Sequence, residues 1–556
     1  MKRGYLAAVL MISACSGNQI TIISEPVTDD STTEEEGGCE TVIVPDGTIS
    51  IVYSEDGATV AGDEAGIVTV DGCDVTVNNT SDSCLTYELS GTCSDGFFKL
   101  YSDAKQEIRL CGLTLANPEG AAINNQSHKY TSVIISGENS IADGPVNASG
   151  DYNDQTGDED MKAAFFSEGQ LVFSGDGTLT VTATGKSAIT SDDYISITGS
   201  PAINITSTSG HGLKAQEKVL ISGGATSITI SATGKKGITT DGDFYMSAGR
   251  VTVTSTASSG TVDGELTGAA GIKADASFTI DGGDLTITVS GTGAKGINCD
   301  GNGWFNAGTV NVTATGANYG SSSGGWRGWG DDSSSKSAKA IKCDGNLVFA
   351  GAEVTAGASS HEAIEAKGTV TVSAGSVSAT SSDDAINSGS DMTITGGTVS
   401  AVSTGNDGLD ANGNMYIQGG YVYAVGSGSP EVALDANTEQ NCKLYISGGS
   451  LVAFGGIESG SSISQPVISV SSWTSGASYS LYNGETLLLE FTAPSRGGSG
   501  LVLSHPDLVS GNSYTLKYGS QTGTVTASMS ASGGGTGGGG DRPGGGGGPG
   551  GGGGRH

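Results

Sequence analysis

The chain has 556 residues, 93 of them glycine, with 6% aromatic residues and a formal charge of −34. So acidic a surface argues against nucleic acid as a partner, and makes contact with acidic polymers depend on local lysines or a bridging cation. No amphipathic helical run appears, and beyond the N-terminus no segment approaches the length of a membrane span, so an all-β chain is expected.

The N-terminus reads as an export signal. Lys2 and Arg3 precede an apolar run over residues 5–12, and Ser13-Ala14 stand directly before Cys15. Small residues before a cysteine are the pattern of a bacterial lipobox, whose cysteine is lipidated and becomes the mature N-terminus. The competing reading is an ordinary signal with an incidental cysteine. Residues 1–15 are therefore expected to be a signal peptide with a lipid on Cys15. Residues 16–38, which hold Glu34-Glu35-Glu36, should form a flexible tether. Such a chain would be exported and held at the bacterial cell envelope surface, touching the membrane through its lipid anchor and otherwise monomeric.

Residues 39–456 carry a repeat. Short β segments over 40–115 cap and begin it, and Cys39, Cys73, Cys84, Cys93 and Cys111 crowd there with their connectivity open. A small residue followed by an aliphatic or aromatic one then recurs: Ala122-Ile123, Ala164-Phe165, Ala188-Ile189, Gly212-Leu213, Gly237-Ile238, Gly271-Ile272, Gly296-Ile297 and Ala340-Ile341. Most steps are about 23 to 25 residues, a period that with β-branched alternation inside each unit is the signature of a β-solenoid. Longer steps mark insertions, one near residues 258–267 and a larger one after Thr315 that carries Trp326 and Trp329 on a Gly/Ser-rich loop. Exposed indoles there offer faces on which sugar rings stack, or else fold back on the solenoid. The phrases Gly296-Ile-Asn-Cys-Asp-Gly301 and Ala340-Ile-Lys-Cys-Asp-Gly345 are equivalent. If residues 316–339 loop out, Cys299 and Cys343 lie on neighbouring coils about 4.8 Å apart, and a disulfide between them is expected.

The repeat is clearest in His361-Glu-Ala-Ile-Glu-Ala-Lys367, Asp383-Asp-Ala-Ile-Asn-Ser-Gly389, Asn406-Asp-Gly-Leu-Asp-Ala-Asn412 and Glu431-Val-Ala-Leu-Asp-Ala-Asn437. Stacking these coils puts Glu365, Asn387, Asp410 and Asp435 in one column and Glu362, Asp384 and Asp407 in a second, with Asp383 alongside. Two carboxylates about 4.8 Å apart repel by roughly 1 kcal/mol in water and about 3.5 kcal/mol at an effective dielectric of 20. A stack of them calls for protons or a cation, and converging hard oxygens suit Ca²⁺. The plainer reading is a solvated acidic face with Asn387 as a structural ladder residue. Lysines also fall in register, Lys214, Lys273 and Lys342 in one column and Lys236, Lys295 and Lys339 in another. They meet polymer carboxylates or simply hydrate the surface. Lys342 and Lys367 are the lysines expected to contact sugar. After Gly456 the repeat stops. Residues 457–529 read as a small C-terminal β cap module over the open end, and residues 530–556 as a glycine-rich disordered tail.

The phrases Glu362-Ala-Ile-Glu-Ala-Lys367, Ser382-Asp-Asp-Ala-Ile-Asn387, Asn406-Asp-Gly-Leu-Asp-Ala-Asn-Gly413 and Gly448-Gly-Ser-Leu-Val-Ala-Phe-Gly455 resemble a family of bacterial secreted carbohydrate-binding domains. The resemblance spans roughly residues 40–526. It implies a right-handed parallel β-helix, similar in fold to the family 9 polysaccharide lyases, that binds calcium, cellulose and acidic pectic polymers. Two positions depart from that pattern: Asn387 replaces an acid, and Val432 stands where the second column would continue. Non-catalytic, calcium-dependent binding of plant cell-wall type polysaccharide is therefore expected. The alternatives are a pectate-lyase-like enzyme with Lys367 as base, and an adhesin whose solenoid is only a stalk.

Overall fold

The computed structural model describes residues 43–320 and 335–531 apart from Thr156 and Asp158. Cys15, the tether, Cys39, Trp326, Trp329 and the tail beyond Ala531 lie outside the described residues.

Parallel coils stack into a β-solenoid. Among the described residues one face is a sheet of fifteen strands, one per turn after an opening antiparallel hairpin, most only three residues long. Its strands read buried–outward–buried, as in Leu213–Ala215 and Leu409–Ala411. The other faces merge into a 27-stranded sheet because strands such as Leu347–Ala358 and Met415–Val425 run round the corner between them. The cause is local. Thr309–Ala314 reads Thr-Val-Asn-Val-Thr-Ala, and its β-branched inward residues pack while its polar residues face out. Register is held because a one-residue slip would turn the buried set to water.

Inside, like stacks on like. Ile364, Ile386, Leu409 and Leu434 are register partners in sequence. Phe244, Phe278, Phe305 and Phe349 form a ring ladder with centroids 4.9, 5.8 and 5.0 Å apart. Phe278 pairs with Gly303 in register, and the space left by that glycine is bordered by the Phe305 ring and Cys343 Sγ. One corner between faces also requires glycine. Gly397 has φ 73°, and a Cβ there would sit 2.8 Å from the Gly375 carbonyl oxygen.

The chain's two ends are antiparallel. Gly47–Ser54 folds back on Gly57–Ala61, and Val68–Asp71 on Asp74–Asn79. At the other end Leu444–Phe454 pairs antiparallel with Gly498–Ser504, which also pairs with Val467–Trp473. A four-stranded antiparallel sheet follows, and Phe454, Trp473, Tyr479 and Phe491 share a second apolar core with it. Residues 258–267 form the expected excursion, a small hairpin of Gly260–Val262 and Glu265–Thr267.

Cysteine pairing departs from expectation. Cys73 and Cys93 are disulfide-bonded. Cys299 and Cys343 are register partners, yet both are free, buried thiols, and Cys299 Sγ donates to the Ala276 carbonyl at 3.0 Å. Parallel stacking explains the correction: it carries both Cβ atoms in the same direction at strand spacing, whereas a disulfide needs them turned toward each other, about 3.8 Å apart.

Candidate cation and polysaccharide site

The outward residues of the fifteen-stranded sheet carry the charged columns. Glu365, Asn387, Asp410 and Asp435 are consecutive register partners. Sequence reasoning missed the next member. Leu434 bridges to Ile457, so Glu458 lies beyond Asp435 and donates its amide to the Leu434 carbonyl at 2.9 Å. The phrase Gly456-Ile-Glu458 is a short echo of the repeat and was the available signal.

The second column is a backbone clasp as well as a row of charges. An Asp384 oxygen accepts the Asp407 amide at 3.0 Å, and an Asp407 oxygen accepts the Val432 amide at 2.5 Å. Val432 therefore ends the column by offering only its amide. Asn387 joins the two columns by donating from Nδ2 to Asp410 at 2.5 Å and to Asp384 at 3.3 Å. An amide here supplies the donor that an acid could give only when protonated.

The expected ligand set divides in two. Glu362 and Glu365 are met by cations. Lys339 pairs with Glu362 at 3.1 Å and with Glu365, Lys367 reaches Glu365 at 2.6 Å, and His361 Nδ1 contacts Glu362 and lies 3.3 Å from Asp383. Burial works to raise the Glu365 carboxyl, but Lys339 and Lys367 outweigh it and hold it at about 2. His361, Glu362 and Asp383 bring one ligand atom each within 4.8 Å of one another.

The coils beyond carry no such compensation. Asp384 and Asp407 are each only 5% exposed, Asp410 and Asp435 are half-buried, and among the described residues no lysine or arginine pairs with them. Burial, followed by Asp410, Asp407 and Asp383, raises the Asp384 carboxyl well above its ordinary value. Burial lifts Asp407 to about 8 against the pull of the Val432 amide. Asp410 is pushed to about 7, chiefly by burial, and Asp435 to about 10 by burial and its hydrogen bond with Glu458. The ligand atoms on offer are the oxygens of four carboxylates, with the Asn387 amide nitrogen turned to two of them. That composition fits a hard cation such as calcium, which would remove the repulsion.

The remaining site residues scatter. Lys342 is 8% exposed and paired with Asp344, so its ammonium is turned to its own coil. Lys367 is about half exposed and engaged with Glu365. Asp192 pairs with Lys162, which also reaches Asp160 at 2.5 Å, while Asp193 accepts from Gln170, so these two acids are met by neighbouring side chains.

A family model described as "Carbohydrate-binding domain-containing protein" matches residues 71–408. No curated protein matches the chain. A solved structure titled as the polysaccharide lyase-like protein from C. thermocellum, gadolinium derivative, is similar at 20% identity with a TM-score of 0.37. It covers 46% of this chain and 95% of that one.

Proposed function

The chain belongs to the carbohydrate-binding domain-containing family, and from that premise we propose that it binds an acidic polysaccharide of the pectic type through calcium, without cleaving it, at the bacterial cell surface. The observation that carries this reading is the row Asp384, Asp407, Asp410 and Asp435, buried or half-buried on three adjacent coils with no lysine or arginine paired to it among the described residues. Calcium takes about six to eight oxygens in loose geometry, more than these side chains supply, so sugar carboxylates and water can complete its shell. With calcium bound, the columns' own residues act as ligands and hold the coils in register.

Binding rather than cleavage is supported by the way the candidate bases beside the acids are engaged, His361 Nδ1 with Glu362 and Asp383 and Lys367 with Glu365. Elimination from a uronate needs a group that removes the proton next to the carboxylate. Lys367, the lysine of this phrase, is engaged as the ion-pair partner of Glu365 at 2.6 Å, and Lys443 is exposed on the coil wall. Incubation with polygalacturonate and calcium should therefore give no growing absorbance from unsaturated product.

A cation that binds only the folded columns stabilises by mass action, about 2.7 kcal/mol at a hundred times its dissociation constant. The melting temperature should rise with calcium and fall with chelator. Asp384→Ala with Asp407→Ala should erase that response. An undiminished calcium shift in the double variant would place the cation elsewhere.

A further inference from the structure

Followed toward the N-terminus, the outer face of the same sheet changes sign. Register partners run Lys214, Thr239, Lys273, Asn298, Lys342 and then Glu365, Asn387, Asp410, Asp435. The neighbouring column behaves alike. His211, Lys236, Lys295 and Lys339 stand two residues before their core aliphatics, as Glu362, Asp384 and Asp407 do further along. Backbone bonds confirm the stacking at the first of these, where the Gly212 amide donates to the Lys236 carbonyl at 3.1 Å.

Three of these lysines are shown with acid partners. Lys273 reaches Asp275 at 2.6 Å and Asp300 at 2.7 Å, Lys342 pairs with Asp344, and Lys339 with Glu362 and Glu365. Lys214, Lys235 and Lys236 are different. None of the three forms an ion pair among the described residues, in a protein with 59 acidic and 25 basic side chains. Burial lowers the Lys236 ammonium's pKa, as do Lys273, Lys235 and Lys214 close by, against an opposing pull from Asp275. Beside them His211 is held neutral, its pKa brought down to about 3 by burial and then by Lys236, Lys235 and Lys214. Its Nδ1 is buried and has no hydrogen-bond partner.

An uncompensated group of ammoniums calls for an anion. A uronate carboxylate supplies that charge, and a neutral sugar does not. We propose that Lys214, Lys235 and Lys236, beside the neutral His211, form a metal-independent subsite for a uronate residue. Its carboxylate accepts from the lysines. The proposal rests on the reading of the ligand as an acidic polysaccharide and adds a second mode of holding it. The subsite lies six coils from the Ile386 coil, about 29 Å along the axis at strand spacing, so one chain of several sugars reaches both. The polymer is then gripped by ammoniums on one stretch and through calcium on the other.

The test uses the full chain and three probes: polygalacturonate, its methyl ester and a neutral cello-oligosaccharide, each with calcium or with EDTA. Polygalacturonate should bind in EDTA with an affinity that falls as salt rises, and the methyl ester should not. Lys214→Met with Lys236→Met should lose about tenfold or more of the EDTA-resistant affinity while keeping the calcium-dependent part. Asp384→Asn with Asp407→Asn should show the reverse. Removing two mutually repelling ammoniums should leave the melting temperature unchanged or higher, which certifies folding. Binding in EDTA that is absent from the parent chain, equal for the methyl ester, or unchanged in the lysine variant overturns the subsite. Polygalacturonate binding in neither calcium nor EDTA overturns the acidic-polysaccharide reading itself, and the subsite with it.

Discussion

Asp407 and Asp410 show how position on a coil changes what one carboxyl does. A free aspartic acid titrates at about 3.9, whereas these two are raised to about 8 and about 7 in the folded chain. Between those limits the folded state holds protons that the unfolded state has released, so their stabilising contribution is full below about pH 4 and is lost as pH climbs through 7 to 8. Glu365, held at about 2, works oppositely: its contribution is present above about pH 4.3 and fades as pH falls toward 2. In chelator the melting temperature should therefore drop from about pH 5 to about pH 9. Asp407→Asn should flatten the drop, and saturating calcium should remove most of it. A metal-free melting temperature that climbs over that range would contradict the assignment. The columns were legible in the sequence because equal spacing places equal residues in register. Their partners were less so. Lys339 was read in register with Lys236 and Lys295, but spacing did not show that its ammonium meets Glu362 and Glu365 on the next coil, and Glu458 belongs to a coil whose second half has left the pattern. The Cys299–Cys343 bond fails for a related reason: spacing gives proximity, while bond formation depends on where the Cβ atoms point.

Among the elements, the short strand with an inward aliphatic, an outward polar residue and an inward small residue carries most of the fold. Its phrase length matches its turn, so the fifteen-stranded face could be read coil by coil from about residue 122 onward. The aromatic ladder could not. Phe244 and Phe278 share a register, but Phe278 pairs with Gly303, and the ladder continues only because Phe305 reaches across that glycine. No regular spacing announces such a crossover. Its contribution can be measured. Phe278→Ala removes the second ring of four, in a column that is 0% exposed, and should cost about 3–5 kcal/mol, seen as a lower denaturant midpoint. Thr279→Ala, on the outward side of the same strand, should stay within about 0.5 kcal/mol. Equal losses for the two would mean that the ladder is not packed as described.

Across the whole molecule, stacking leaves two open edges, and antiparallel segments meet both. The hairpin Gly47–Ala61 region lies at the first coil, and Gly498–Ser504 at the last. Unpaired strand edges recruit other chains, so these segments keep a long stack of like coils from growing by addition. The end of the repeat after Gly456 pointed to a C-terminal β module over the open end. Its antiparallel seating on Leu451–Phe454 depends on side-chain fit that no period encodes. The stack has a further property, mechanical rather than chemical. Coils are joined by bonds that run along the axis, and each coil touches mainly its two neighbours. Tension applied between the ends therefore concentrates on the outermost coil, which peels before the next is loaded. The step from Ile341 to Ile364 is 23 residues, so each detached coil releases about 80 Å of extended chain in place of about 4.8 Å of rise. Single-molecule pulling should show a train of extensions near about 75 Å instead of one large rip. The span between Cys73 and Cys93 should stay closed until reductant is added. Under the binding role proposed above, the chain would yield under load by measured lengths while its remaining coils keep their grip.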